Sequence, residues 1–417
     1  MSPPAAPAPA VVVRMYHVGL GDAFLLFFPG RSGPRKVLID CGVHFDGESE
    51  HPLKTVIDHI LESVRDPDGV PRIQVVVATH RHQDHVSGFE SSRWRDVEVQ
   101  EVWMPWTEEV GDPVATSIRE RQGLIAELLT DVLSARDDDP QATILARNCL
   151  RNPVAMKTLH DGFAGEPRRR FLPPTSALYT FRPRALSGVT VHVLGPSHQE
   201  SVIRDLDPHG DESFLRQERA RLRAGESAID SFRPFRPDWS LSAEDFEREP
   251  SWAHLVLAED ERQRLEALED TGDLAAALAD AINNTSLFLQ FRVGRARLLF
   301  PGDSQWGTWE VAMADPARRA LLEQTTFLKV GHHGSHNATP RRFVESLLPD
   351  GFYAMVPTLE GSPLSQPPGR KWDIPRHPLL DSLRTRSPGR VARSDRPAES
   401  GPQFTVQPLY TEVRVPI

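Results

Sequence analysis

The run Ile73-Gln74-Val75-Val76-Val77-Ala78-Thr79-His80-Arg81-His82-Gln83-Asp84-His85 joins an apolar segment, across one threonine, to a cluster of ligand-type side chains. The valine-rich part, 73–78, predicts a buried strand, because β-branched side chains suit a pleated surface and no polar alternation interrupts it. The six residues after Thr79 hold three imidazoles and a carboxylate. Imidazole is a borderline ligand suited to Zn, Fe and Ni, and accompanying carboxylates extend the range to Mn. Alternate spacing lets His80 and His82 point one way and serve one ion, while Asp84 and His85 serve a second. A strand that ends in such a group predicts a metal centre.

Working outward, residues 11–16 and 23–28 read as strands joined through Gly19-Leu20-Gly21-Asp22, with a third strand at 36–39. Helical spacing of Leu53, Val56, Ile57, Ile60, Leu61 and Val64 follows. This β-β-β-α-β order implies an α/β sheet with helices on its outer face. Strand signals return at 286–291, 296–300, 325–330, 352–356 and 390–393. Two of these end in ligand types: 296–300 runs into Gly302-Asp303, and 325–330 into His332-His333. In open α/β sheets ligands gather beyond the carboxyl ends of strands, so three such ends imply one shared site. A fourth apolar segment, 189–194, leads to His198, which joins the candidate ligands.

The chain has 417 residues, 48 Lys+Arg and 58 Asp+Glu, for a net charge of −10. That charge repels phosphate at a distance, so a nucleic-acid substrate needs a local positive region and a salt-sensitive rate. The stretch 361–396, with Arg370, Lys371, Arg376, Arg384, Arg386, Arg390, Arg393 and Arg396, reads as a solvated loop or as such a rim. Cys41 and Cys149 are too few for a disulfide framework, which fits a reducing compartment. The first ten residues lack a signal peptide's basic and apolar regions, and no apolar run approaches the ~18 residues of a membrane span. A cytoplasmic protein with no membrane association is expected. Residues 1–10 read as a disordered Pro/Ala tail and 11–417 as a single domain. Within it, 105–280 is largely an inserted helical or cap region, interrupted by one β segment, with helices at 118–136 and 255–282 and aromatic residues Phe232, Trp239 and Trp252. The insertions are also where a protein partner would dock.

His80-x-His82-x-Asp84-His85, Gly302-Asp303 and His332-His333-Gly334-Ser335 together resemble the metallo-β-lactamase superfamily. Within it, His17-Val18-Gly19-Leu20-Gly21-Asp22-Ala23, Leu38-Ile39-Asp40-Cys41-Gly42, Asn283-Asn284-Thr285-Ser286-Leu287 and Leu328-Lys329-Val330 resemble the hydrolase domain of ComEC-type competence proteins and their soluble relatives. His377-Pro378 resembles the end of that domain. The resemblance spans about 11–105 and 283–394 and leaves out the middle insertions. It departs at Ser87-Gly88, where the family often has two glycines, and in the third-histidine motif, which only His198 can supply.

The resemblance implies an αββα sandwich with its site at one edge and two divalent ions, Zn²⁺ first and Mn²⁺ second. One ion would take His80 and His82, the other Asp84 and His85, with Asp303 bridging and His332 or His333 closing the second site. Asp40 would stand behind the histidine loop as an outer acceptor. Asn284, Ser286, Ser335 and His377 would support the site or the substrate, and Lys329, His377 or the Arg-rich stretch would receive the substrate's charge.

Two ions about 3.5–4 Å apart can share a hydroxide and clamp the attacking and leaving oxygens of a transfer reaction. The expected function is therefore a metal-dependent hydrolase, a phosphodiesterase or nuclease acting on a phosphodiester, DNA or RNA included, with Asp84, Asp303 and Lys329 as its catalytic residues. The alternatives are hydrolysis of a lactone, thioester or β-lactam in an apolar pocket, or a catalytically weak binding or regulatory module of the same fold.

Overall fold

A computed structural model describes residues 9–44, 51–136, 140–150, 152–209, 212–214, 271–362 and 374–417. Phe232, Trp239, Trp252, Arg370 and Lys371 lie outside the described residues, as does most of the expected helix at 255–282, of which Thr271–Asn283 is described. Among the described residues there are fifteen strands: β1 (Ala10–Tyr16), β2 (Ala23–Phe28), β3 (Arg35–Cys41), β4 (Arg72–Val77), β5 (Glu98–Pro105), β6 (Arg168–Leu172), β7 (Tyr179–Phe181), β8 (Thr190–Gly195), β9 (Phe288–Val293), β10 (Ala296–Phe300), β11 (Phe327–Lys329), β12 (Tyr353–Val356), β13 (Val391–Arg393), β14 (Phe404–Gln407) and β15 (Tyr410–Pro416). They form two mixed sheets, ordered β14-β15-β1-β2-β3-β4-β5-β6 and β13-β12-β11-β10-β9-β8-β7.

The sheets share a core. Val11, Val13, Phe24, Leu26, Val75 and Val77 of the first pack with Val191, Leu289, Phe291, Leu298, Phe300 and Met355 of the second. The opposite face of the first sheet buries Leu25, Leu38, Val76 and Val102 against helix α1 (Leu53–Ser63), through Val56, Ile57 and Ile60. That of the second buries Leu299, Leu328, Ala354 and Val356 against the helices Trp306–Ala314 and His377–Arg386. β4 is therefore covered on both faces, with Val75 and Val77 between the sheets and Ile73 and Val76 toward α1, which is why its sequence is a continuous apolar run. The protein is a mixed α/β molecule. No helix among the described residues is long and apolar enough to cross a membrane.

The central strands of both sheets are parallel, β3-β4-β5-β6 in the first and β10-β11-β12-β13 in the second. The ends of β3, β4, β10 and β11 carry the candidate residues. The expectation of one β segment within 105–280 is corrected, since β6 and β7 lie there as well as β8. Much of the rest of the described insertion is helical. Helices α3 (Pro113–Arg136) and α4 (Pro140–Asn148) pack with Thr271–Asn283 around Ala126, Leu129, Ala146, Cys149, Leu278 and Ile282.

Candidate metal centre

The histidine loop is anchored before it begins. Thr79 donates its N–H to Asp40 Oδ1 and its hydroxyl to Asp40 Oδ2, both at 2.7 Å. Asp40 itself sits at φ 55°, a left-handed conformation that short polar side chains tolerate. His82 precedes the single turn α2 (Gln83–Val86), and Asp84 and His85 of that turn join one group of ligand-type side chains. Alternate side chains diverge as the spacing implies. His80 Nε2 and His82 Nδ1 lie 3.0 Å apart, while Arg81 turns away into a buried ion pair with Glu108, 2.7 Å from Nη2 to Oε2. Gly42 allows the close fit behind the loop, because a Cβ there would fall 2.6 Å from Asp84 C, Gln83 O and His85 C.

Four buried residues from three strand ends converge. Asp84, His85, Asp303 and His333 each present a ligand atom, all within 4.8 Å of one another. His85 Nε2 is 3.1 Å from Asp303 Oδ2 and 3.5 Å from Asp84 Oδ2, and His333 Nε2 is 2.9 Å from Asp84 Oδ2. The far nitrogens are tied to outer acceptors: His85 Nδ1 donates to Asp40 Oδ2 at 2.8 Å and His333 Nδ1 to Pro357 O at 3.0 Å. That arrangement orients Nε2 of each ring inward, as a ligating histidine requires. Asp84 Oδ1 is buried with no hydrogen-bond partner, an expensive omission unless a cation completes it. The donor set, two imidazoles and two carboxylates beside the His80/His82 pair, could hold a metal ion.

Electrostatics agree with that reading. Burial holds His80 well below the usual imidazole range and lowers His82 to about 3, so both rings are neutral donors. Burial opposes charge at His85 too, yet the carboxylates of Asp303, Asp84, Asp22 and Asp40 outweigh it and raise that ring well above its ordinary value. Burial also opposes ionisation of Asp84 and Asp303, and their cationic neighbours hold both carboxyls well below the usual range. The cluster demands positive charge at its centre.

His332 and His333 separate clearly. Both have positive φ, 44° and 53°, a strained pair for residues with a Cβ. His333 joins the four-residue group. His332 instead donates its backbone N–H to Asp303 Oδ1 at 3.0 Å, and its ring contacts Asn283 Nδ2, Gln305 Nε2 and Ser335 Oγ at 3.0–3.2 Å.

Other candidates are placed elsewhere. His198 gives Nε2 to Pro173 O at 2.8 Å and stacks on Trp106 at 4.2 Å between ring centroids, so it is not brought to the cluster. His377 is about half exposed and lies 3.3 Å from Glu360. Lys329 is 2 % exposed, with Nζ 2.5 Å from Asp22 Oδ2 and 2.8 Å from Asp303 Oδ1. Its cation pairs with these two carboxylates inside the protein. Ser286 accepts the Asp303 N–H at 3.1 Å, and Asn284 binds the backbone of Val202, Ile203 and Gln305, so both shape the Asp303 turn. Ser335 donates to Asn337 Oδ1 at 2.9 Å and holds His332.

Several residues that matter here were not singled out from sequence as site residues. Asp22 lies in the Gly-Leu-Gly-Asp turn and joins the cluster through Lys329. The insertion grips the ligand loop at successive points: Asn152 Nδ2 donates to Arg81 O at 2.8 Å, Cys149 Sγ is 3.6 Å from His82 Nε2, and Asn148 Oδ1 accepts from the Asp84 N–H at 3.3 Å. Burial raises the Cys149 thiol well above its normal range, so it acts as a neutral partner for the outer nitrogen of His82 and leaves Nδ1 for the site. Cys149→Ala is expected to weaken Zn²⁺ binding about 10–100-fold, the usual effect of removing an outer partner of a ligating histidine. Calorimetric titration reads this directly, and unchanged affinity would remove Cys149 from the centre.

Neither a known family model nor a curated protein matches the chain. The functional reading therefore rests on the residues themselves.

Proposed function

We propose that the protein is a dinuclear metal-dependent hydrolase with a metallo-β-lactamase-like αββα sandwich, and that phosphodiesters are its first substrate class. The observation that carries this reading is the buried group Asp84, His85, Asp303 and His333 beside the His80/His82 pair, with Asp84 Oδ1 otherwise unsatisfied. Two divalent ions held there would acidify a shared water and neutralise charge developing on the substrate. The protein's part is positional. Asp40, Thr79 and Pro357 orient the imidazoles, Lys329 and the His332 N–H fix Asp303, and the sheet edges keep the ligands dry.

Reconstitution with Zn²⁺ or Mn²⁺ is expected to give metal-dependent hydrolysis of bis(p-nitrophenyl) phosphate. Asp84→Ala should reduce the rate by at least about 10²–10³-fold, the scale of losing one preorganised electrostatic contact in an active site. A metal-loaded protein with no turnover would sink the phosphodiesterase reading. A second reading, hydrolysis of a lactone, thioester or β-lactam, is favoured by one observation. The cavity beside His332 and His333 is lined in part by Leu20, Leu145, Ala276, Ala279 and Ile374, alongside the polar His44, Asp280 and Asn337.

A further inference from the structure

The chain folds back on itself after β11. His332, His333 and Gly334 all have positive φ, 44°, 53° and 81°, so the backbone turns sharply within three residues. Gly331 lies against Ala338, where a Cβ would fall 2.7 Å from the Ala338 carbonyl oxygen. Residues 331–338 are thereby closed into one tight unit, and Asn337, 1 % exposed, lines the same cavity as His332 and His333. That cavity measures about 50 Å³, and His44, Asp280 and Ser335 add to its polar wall. One water needs roughly 10–15 Å³ of such space, so a group of a few heavy atoms fits and a whole substrate does not.

The Asn337 amide is satisfied at one end only. Ser335 Oγ donates to its Oδ1 at 2.9 Å, while its Nδ2 is buried with no hydrogen-bond partner. A buried donor in that state is an exception in folded proteins and calls for an acceptor supplied from outside the chain. The metal cluster has the opposite need. Asp84 Oδ1 is buried without a partner and requires a cation, and Asp84 Oδ2 lies 2.9 Å from His333 Nε2, on the ring that borders the cavity. A ligand oxygen bound to a cation at Asp84 and His333 would serve both ends.

We propose that Asn337 binds the ligand directly, its Nδ2–H donating to an oxygen of a phosphoryl or carboxyl group seated in the cavity. The place of that oxygen on a metal rests on the hydrolase reading above; the donor without a partner does not. A fixed donor of this kind strengthens its bond as negative charge builds on the oxygen it holds.

The test is calorimetric titration of the Zn²⁺-loaded full chain with inorganic phosphate and, separately, with acetate. The more tightly bound anion assigns the group as phosphoryl or carboxyl. Asn337→Ala removes the donor, and Asn337→Asp replaces it with an acceptor while keeping an oxygen for Ser335. Both variants should bind that anion about 10–100-fold more weakly, the scale of one hydrogen bond to a charged group, with zinc content unchanged. Ser335→Ala, which removes the contact at the other end of the amide, should change the affinity less than about threefold. No anion binding by the wild type, unchanged affinity in both Asn337 variants, zinc lost from both, or an equal loss in Ser335→Ala would each overturn the proposal. Turnover of bis(p-nitrophenyl) phosphate is scored apart. No turnover alongside Asn337-dependent anion binding overturns the hydrolase reading and keeps the anion site, and turnover alongside Asn337-independent binding does the reverse.

Discussion

Lys329→Ala is expected to destabilise the protein by about 3–5 kcal/mol, the cost of breaking a buried ion pair from one side. Lys329 Nζ lies between Asp22 Oδ2 at 2.5 Å and Asp303 Oδ1 at 2.8 Å, and it also donates to Gly302 O at 3.0 Å. All three side chains are almost wholly buried. Burial alone would push the ammonium toward neutrality, yet the two carboxylates hold it charged and raise it above the normal lysine range. Alanine leaves two carboxylates facing each other with the lysine's share of charge missing. Urea unfolding of the wild type and the variant measures the loss. The double variant Asp22→Asn/Lys329→Ala should lose less than the two single changes together, because the charges are coupled. A loss below about 1 kcal/mol, the level of a surface ion pair, would show that the lysine is not a structural cation.

His333→Ala should weaken zinc binding about 10²–10³-fold, while His332→Ala leaves the number of bound ions unchanged. A structural zinc site contributes about 10–16 kcal/mol shared among four ligands, so each carries about 2.5–4 kcal/mol. His333 is placed to supply such a share. Its Nε2 is 2.9 Å from Asp84 Oδ2 and its Nδ1 is fixed by Pro357 O. The ring of His332 faces Asn283, Gln305 and Ser335. Zinc stoichiometry and calorimetric affinity of the two variants separate the roles. Equal losses in both would mean that the adjacent left-handed residues move together and that ligation cannot be divided between them.

The readable part of this fold is the part whose chemistry is local. β4 announces itself because both of its faces are apolar, and β2 and β10 match their sequence-based bounds for the same reason. β5 and β6 were hidden by charge. Glu101 is buried in β5, where it accepts from Trp103 Nε1 and pairs with Arg170 of β6 at 2.6 Å, so Arg168-Arg169-Arg170 looks like a surface run until its partner is known. β14 and β15 were missed because their outward residues are polar, as in Thr405, Glu412 and Arg414. In the site, His80, His82, Asp84 and His85 were legible as neighbours in sequence. His198 had the right local position and the wrong spatial one. Asp22, Asn148, Cys149 and Asn152 reach the centre only through tertiary contacts, and nothing in their own neighbourhoods signals a ligand shell.

The pairing of β1 with β15 sets a timetable for the molecule. Arg14 and Glu412, 398 positions apart, sit side by side in the first sheet, and seven residue pairs join the two strands. A ribosome adding about 5–20 residues per second exposes β1 for tens of seconds before its neighbour exists. During that interval one flank of β1 offers unpaired amides beside Val11 and Val13, whose side chains later fill the space between the sheets. The newborn chain therefore carries an adhesive edge for most of its synthesis, and its yield in a cell depends on what shields that edge until β15 arrives.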